Sequence, residues 1–171
     1  MTVPFLTFHT GYVPGVIGRI TEMHADLYSR SHGFGLPFES RVATELSAFL
    51  KRYDPELDFL RTVSRGERIE GSIVVDGGET ANGTAHLRWF ILSPELRGSG
   101  LGKRLLDDAV AFCRGRQFHR IHLWTLAGLE PAGTLYRRHG FMIAESLVGT
   151  QWGKPIDELR MELDLSTGAK G

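Results

Sequence analysis

Apolar residues recur along this chain at two spacings, and the change from one to the other divides it. Val16, Ile17, Ile20, Met23, His24, Leu27 and Tyr28 fall at helical intervals between Pro14 and Arg30, which predicts an amphipathic helix. After a loop from Ser31 to Pro37, Val42, Leu46, Phe49 and Leu50 predict a second helix over Phe38 to Tyr53. Alternation then takes over. Phe59 to Ser64 and Ile69 to Val75 read as strands joined by the turn Arg65-Gly66-Glu67-Arg68, a hairpin. Val3 to Phe8 alternates weakly and reads as an edge strand with Pro4 near its start. Asp76 to Gly83, rich in Gly, Asn and Thr, is a loop into the strand Thr84 to Leu92. On that strand a period of two puts Ala85, Leu87, Trp89 and Ile91 on a core face, and Thr84, His86, Arg88 and Phe90 on a face that is partly wet.

The helical period returns once more. Leu101, Leu105, Leu106, Ala109, Val110 and Cys113 line one side of a helix whose other side carries Lys103, Arg104, Asp107, Asp108 and Arg114. A turn at Gly115 to Phe118 leads into a strand, Arg120 to Leu126, so strand, helix and strand alternate and a parallel crossover is expected. Pro131 suits the first turn of a short helix and Gly140 the left-handed residue that ends it. Phe141 to Val148 and Arg160 to Leu165 follow as strands, and Ser166 to Gly171 reads as a frayed tail. The fold class is therefore α/β (α+β) with a mixed central sheet.

Composition narrows this only a little. A chain of 171 residues, 42% hydrophobic, suits one domain over 1–171 with a full core. Lys and Arg number 20, as do Asp and Glu, so nothing in the balance argues for nucleic acid or an anionic membrane, and neither is expected as a partner. Cys113 is the sole cysteine and lies on an apolar helix face, which predicts a buried thiol and no intramolecular disulfide. The N-terminus MTVPFLTFHTGYVPG has neither a basic leader nor a long apolar run, so a cytoplasmic protein is expected.

The candidate chemistry sits between the Thr84–Leu92 strand and its helix. Arg97-Gly98-Ser99-Gly100-Leu101-Gly102-Lys103 places three glycines at alternate positions in a strand-to-helix turn. Such a turn bares main-chain N–H groups at a helix start, where the partial positive charge favours a phosphate or pyrophosphate. A Walker loop would need a glycine where Arg97 stands and Ser or Thr where Arg104 stands. A dinucleotide fingerprint, G-x-G-x-x-G, does not match Gly98, Gly100 and Gly102 either. The pattern R-x-x-G-x-G, on Arg97, Gly100 and Gly102 after Ser93-Pro94-Glu95-Leu96, resembles the acetyl-CoA pyrophosphate motif of the GNAT superfamily of N-acetyltransferases. A second resemblance lies about 35 residues downstream, A-x-x-L-Y-x-x-x-G-F on Ala132, Leu135, Tyr136, Gly140 and Phe141. Leu123-Trp124-Thr125, Trp152-Gly153 and Glu162-Leu163-Asp164-Leu165 also resemble acetyltransferase domains appended to MarR-type regulators, here without a DNA-binding domain.

The superfamily resemblance implies a mostly antiparallel sheet with a splayed parallel strand pair and about four flanking helices. It implies acetyl-CoA bound over 84–141, its pantetheine arm against main chain near Phe90, Ile91 and Leu92 and its pyrophosphate on Arg97 to Lys103. Residues 15–57 would then form the acceptor side, with Trp124, Trp152, Phe34, Phe38 and Tyr28 as candidate lining. Tyr136 would donate to the departing thiolate. Many relatives carry a glutamate on the motif strand as base, but none stands between Thr84 and Leu92; His86 is the candidate relay, with Glu95 and Glu130 as weaker alternatives. The asparagine that relatives place before the tyrosine helix is replaced by Ala127-Gly128-Leu129-Glu130. His119 and His122 lie three apart, on opposite strand faces, so no metal is expected. The expected function is direct transfer of an acetyl group to a primary amine of a small molecule or protein. A catalytically degenerate acetyl-CoA sensor is the alternative, and an edge strand near Val3 to Phe8 or a C-terminal strand could pair across a homodimer.

Overall fold

A computed structural model of the chain describes residues 5–78, 82–152 and 154–166. Seven strands make one sheet in the order β1-β2-β3-β4-β5-β7-β6: β1 Leu6–Thr10, β2 Phe59–Arg65, β3 Arg68–Asp76, β4 Thr84–Leu92, β5 Arg120–Leu126, β6 Met142–Gly149 and β7 Ile156–Asp164. Only β4 and β5 pair in parallel; every other neighbour is antiparallel. Among the described residues four helices flank the sheet: α1 Val16–His32, α2 Leu36–Lys51, α3 Leu101–Gly115 and α4 Ala132–Arg138. A mixed sheet with one parallel pair and four helices is what the strand and helix periods implied. No helix among the described residues is long and apolar enough to cross a membrane.

The sheet separates two cores. Leu101, Leu105, Leu106, Ala109 and Cys113 of α3 pack with Tyr136 and Phe141 against Ala85, Leu87, Ile121 and Leu123. On the other side Val16, Ile20, Met23, Phe38, Val42, Leu46 and Phe49 of α1 and α2 pack against Leu60, Val74, Trp89 and Ile91. Leu105 and Leu106 are fully buried, each stabilising the fold by about 2 kcal/mol relative to exposure. The helix ends follow local chemistry. Gly33 takes a left-handed conformation after α1 and accounts for the abrupt turn into α2.

Several boundaries move. The second helix begins at Leu36, not Phe38, because Pro37 has the fixed φ that a first turn accepts. Its partner α1 runs on to His32, shortening the expected loop. The last strand begins at Ile156, not Arg160; Asp157 and Glu158 look like loop residues, yet both pair with β6. Within Val3 to Phe8 the strand starts at Leu6 and continues to Thr10, while Val3 and Pro4 lie outside the described residues. The same holds for 79–81 of the loop into β4, for Gly153, and for the tail beyond Ser166.

Candidate active site

The site begins where β4 departs from regular alternation. Register on β3 runs from Ser72 opposite Ile91 to Val74 opposite Arg88, so β4 spends one extra residue there. This is a β-bulge, and Trp89 takes the positive φ of 42° that it requires. The buried Ser72 hydroxyl donates to the Trp89 carbonyl at 2.7 Å and holds the bulge. Arg88 and Trp89 consequently point to the same side. The expectation that Ala85, Leu87, Trp89 and Ile91 share a face is therefore corrected: Ala85 and Leu87 face α3, with Phe90 and Leu92 packing against the same core, whereas Trp89 and Ile91 face α1 and α2.

Just before the bulge the parallel pairing ends. β4 and β5 meet only at Thr84 with Arg120, Ala85 with Ile121 and His86 with His122. Beyond that point β5 pairs with β7 alone, through Leu126 opposite Glu158. Among the described residues, main chain from Leu87 to Leu92 has no partner on its β5 side, and a cleft of about 1310 Å³ opens between the strands. An extended ligand arm could satisfy those groups.

At one end of the cleft lies the glycine turn. Pro94 to Leu96 forms a 3₁₀ turn, and Gly98 and Gly100 adopt φ of 74° and 83°. No other atom would lie within 4 Å of a Cβ at either glycine, so the space above this backbone is open. The N–H groups from Gly98 to Lys103 have no hydrogen-bond partner among the described residues, and no side chain caps α3. They aim the positive end of a 15-residue helix at the opening. Arg97 Nε donates to Leu92 O at 3.2 Å and Ser99 Oγ donates to Leu96 O, which fix the turn to the strand. Gly102 has a different role: a Cβ there would touch Leu135, Leu92 and Phe90 at 3.4 to 3.7 Å. Lys103 lies at the rim, paired with Asp107 at 2.7 Å.

Tyr136 of α4 reaches the cleft from the α3 side, 6.1 Å from the Phe90 ring and 5.8 Å from Phe141. Burial, with a smaller contribution from Tyr28, pushes its phenol well above the ordinary range. Tyr28 enters from α1, and burial raises it to about 12. Neither hydroxyl has a hydrogen-bond partner among the described residues, and both line the cleft.

His86 stacks on His122 with ring centroids 4.3 Å apart. Burial, then His122 and Arg88, lower His86 to about 3, and burial lowers His122 as well. Both rings are neutral at neutral pH. Glu130 is held at about 2 by hydrogen bonds from Thr134 and Arg137, and exposed Glu95 is absent from the cleft lining. Phe34, Phe38 and Trp152 form one wall, while Trp124 is 42% exposed at the mouth. Two residues of the site escape sequence reasoning. From sequence His122 reads only as an unsuitable metal partner of His119, and Glu158 lies outside the predicted last strand; its carboxylate is buried and accepts from Trp152 Nε1 at 2.7 Å and from Gln151 Nε2 at 2.5 Å. The alternation of Glu158, Arg160 and Glu162 with Leu159, Met161 and Leu163 was the available signal. Among the described residues no cluster of three or more metal-ligating side chains forms.

A splayed parallel strand pair, a bare amide turn and a buried tyrosine on a short helix define an acetyltransferase fold of the GNAT type. The family model described as acetyltransferase (GNAT) family matches residues 21–141, and the chain belongs to that family. Spermidine N-acetyltransferase from Vibrio cholerae, solved with CoA and spermine, is similar at a TM-score of 0.71 and 21% identity, covering 96% of this chain and 98% of that one. The yncA structure from Salmonella typhimurium, solved with acetyl-CoA, gives 0.69 and 17%, covering 96% of each chain. In sequence, mycothiol acetyltransferase from Arthrobacter sp. (strain FB24) is 37% identical over 65 residues, 38% of this chain and 20% of that protein. The match thus spans about a fifth of the length of that curated relative.

Proposed function

We propose that the protein moves an acetyl group from acetyl-CoA directly to the nitrogen of a primary amine. The observation that carries this reading is that three features face one cleft: the glycine turn through Gly98, Gly100, Gly102 and Lys103, the unpaired edge of β4 and the Tyr136 phenol. Arg97, Gly98, Ser99, Gly100, Leu101, Gly102 and Lys103 would hold the pyrophosphate with amides, helix-end potential and cationic charge. Main chain at Phe90, Ile91 and Leu92 would pair with the pantetheine amides.

Acetyl-CoA bound there supplies an activated thioester. Tyr136, kept protonated by its raised pKa, donates a hydrogen bond to the departing sulfur and does not surrender its proton: even an ordinary phenol is about 1.5 units weaker as an acid than a thiol. His86, at about 3, is too weak a base to hold the proton of an alkylammonium of pKa about 10.4. Its role is to orient the amine or a water as a neutral ring. The new C–N bond forms as C–S breaks, and the nitrogen's proton leaves to water in the cleft. Absence of a strand carboxylate, together with that weak histidine, favours a second reading in which the same donor site serves a sensor without turnover.

Isothermal titration with acetyl-CoA and CoA, beside Gly100→Glu, tests the donor site. Binding by the wild type that the folded variant loses is expected; no binding by wild-type protein overturns both readings. Acetylation across an amine panel then separates enzyme from sensor.

A further inference from the structure

We infer that Glu158 is the anionic anchor of the acceptor pocket, and that the pocket takes a primary alkylammonium carried on an aromatic body. This rests on the acetyltransferase reading of the cleft. Glu158 is 5% exposed and lines the cleft. No Lys, Arg or His among the described residues forms an ion pair with it. Both donors that reach it, Trp152 Nε1 at 2.7 Å and Gln151 Nε2 at 2.5 Å, bond to Oε1. Oε2 accepts from no described residue, and it rests against Gly149, where an added Cβ would stand 2.2 Å away. The cation beside it is engaged elsewhere: Arg41 bonds Glu45 at 2.7 Å and Gln151 Oε1 at 2.5 Å, and lies over the Trp152 ring.

Oε2 is not among the fully buried atoms that lack a partner, so within a side chain only 5% exposed it is the oxygen left open to the cleft, where a charge-assisted donor can complete it. Glu158 sits opposite Leu126 on the β5 edge of the splay, on the side of the sheet that carries α1 and α2. Its donor Trp152 packs on Phe38 and Phe34 at centroid distances of 5.1 and 6.3 Å, and Tyr28 packs on Phe38 at 4.9 Å. Carboxylate and aromatic wall thus meet, which is the chemistry that selects an ammonium over a neutral group and an aromatic ring over a polar chain.

The test uses the full chain saturated with CoA and the probes benzylamine, benzyltrimethylammonium and benzyl alcohol at pH 7.5, followed by isothermal titration. Wild-type protein is expected to bind benzylamine, to bind benzyl alcohol at least about ten-fold more weakly, and to bind benzyltrimethylammonium, which has the charge but no N–H for Oε2, at an affinity between the two. Glu158→Gln keeps an oxygen for Trp152 and Gln151, and is expected to weaken benzylamine about ten-fold while leaving CoA binding unchanged. With acetyl-CoA, the variant should raise KM for benzylamine and leave kcat, and KM for uncharged benzoyl hydrazide, within two-fold. Equal binding of cation and alcohol by the wild type overturns the inference whether or not the variant folds. So does benzylamine binding that Glu158→Gln leaves intact, or a loss confined to kcat. Failure of the wild type to bind CoA overturns the donor-site reading beneath it instead.

Discussion

Two buried histidines should make this fold sensitive to mild acid. Burial lowers His24 from 6.5 to about 4, against a smaller opposing effect from its bond to the Ile20 carbonyl. His86 falls from 6.5 to about 3. A histidine whose pKa is lower in the folded than in the unfolded chain stabilises the fold above the unfolded pKa, and that stability drains away as pH falls towards the folded value. At pH 5.0 the unfolded chain has protonated both groups, about 1.5 units below 6.5, and the folded chain neither. Each then costs about 2 kcal/mol, and the pair about 4 kcal/mol, a large part of the 5–15 kcal/mol that a domain usually has. His122 and His32 are lowered too and act in the same direction. The depressed carboxyls at Glu95, Asp107, Glu130 and Asp164 start from 4.5 or 3.8, so their loss comes below this window. Urea unfolding followed by tryptophan fluorescence at pH 7.5 and 5.0 measures the difference. His86→Gln should remove about 2 kcal/mol of it. Equal stability at the two pH values would refute the reasoning.

Tyr136→Phe removes a buried hydroxyl that has no partner among the described residues, so stability and acetyl-CoA affinity should hold while kcat falls about 100-fold; an unchanged kcat would remove the hydrogen bond to sulfur from the mechanism. Cys113 is fully buried, and burial pushes its thiol up to about 12, so a thiol-specific disulfide reagent should react only at the rate of unfolding.

Both flanking helical layers and the antiparallel strands were legible because each repeats a single period long enough to count. Leu101 to Cys113 gave α3 and its buried face directly, and Gly98 to Gly102 announced a turn that only bare backbone can make. What escaped was the register between distant strands. Nothing local in Arg88-Trp89-Phe90 signals a bulge; the extra residue exists only relative to Ser72 and Val74 on β3. The His86 and His122 stack is likewise a register effect, since parallel pairing sets the two opposite each other 36 positions apart. Glu158 was hidden by composition: Pro155, Asp157 and Glu158 look solvated until β7 pairs on both sides.

That register effect can be isolated by deleting Trp89. With one residue removed, Arg88 would stay on the α2 side, Phe90 on the α3 side, Ile91 on the α2 side and Leu92 on the α3 side. Every remaining side chain keeps its present face, and β4 becomes a regular strand opposite β3. The cost is the packing of Trp89, 9% exposed, with Phe49 at 5.7 Å and the Arg88 guanidinium at 4.0 Å, about 3–5 kcal/mol. Release of the positive φ returns about 1–3 kcal/mol, so a folded protein destabilised by about 2 kcal/mol is expected. Trp89→Gly loses the same packing but keeps the bulge, since glycine accepts φ of 42° without strain. If the splay exposes the main chain that binds the donor, Trp89→Gly retains acetyl-CoA binding and the deletion loses it. Equal affinity in the two folded variants would mean that the glycine turn alone carries the binding, and that the open edge of β4 is incidental.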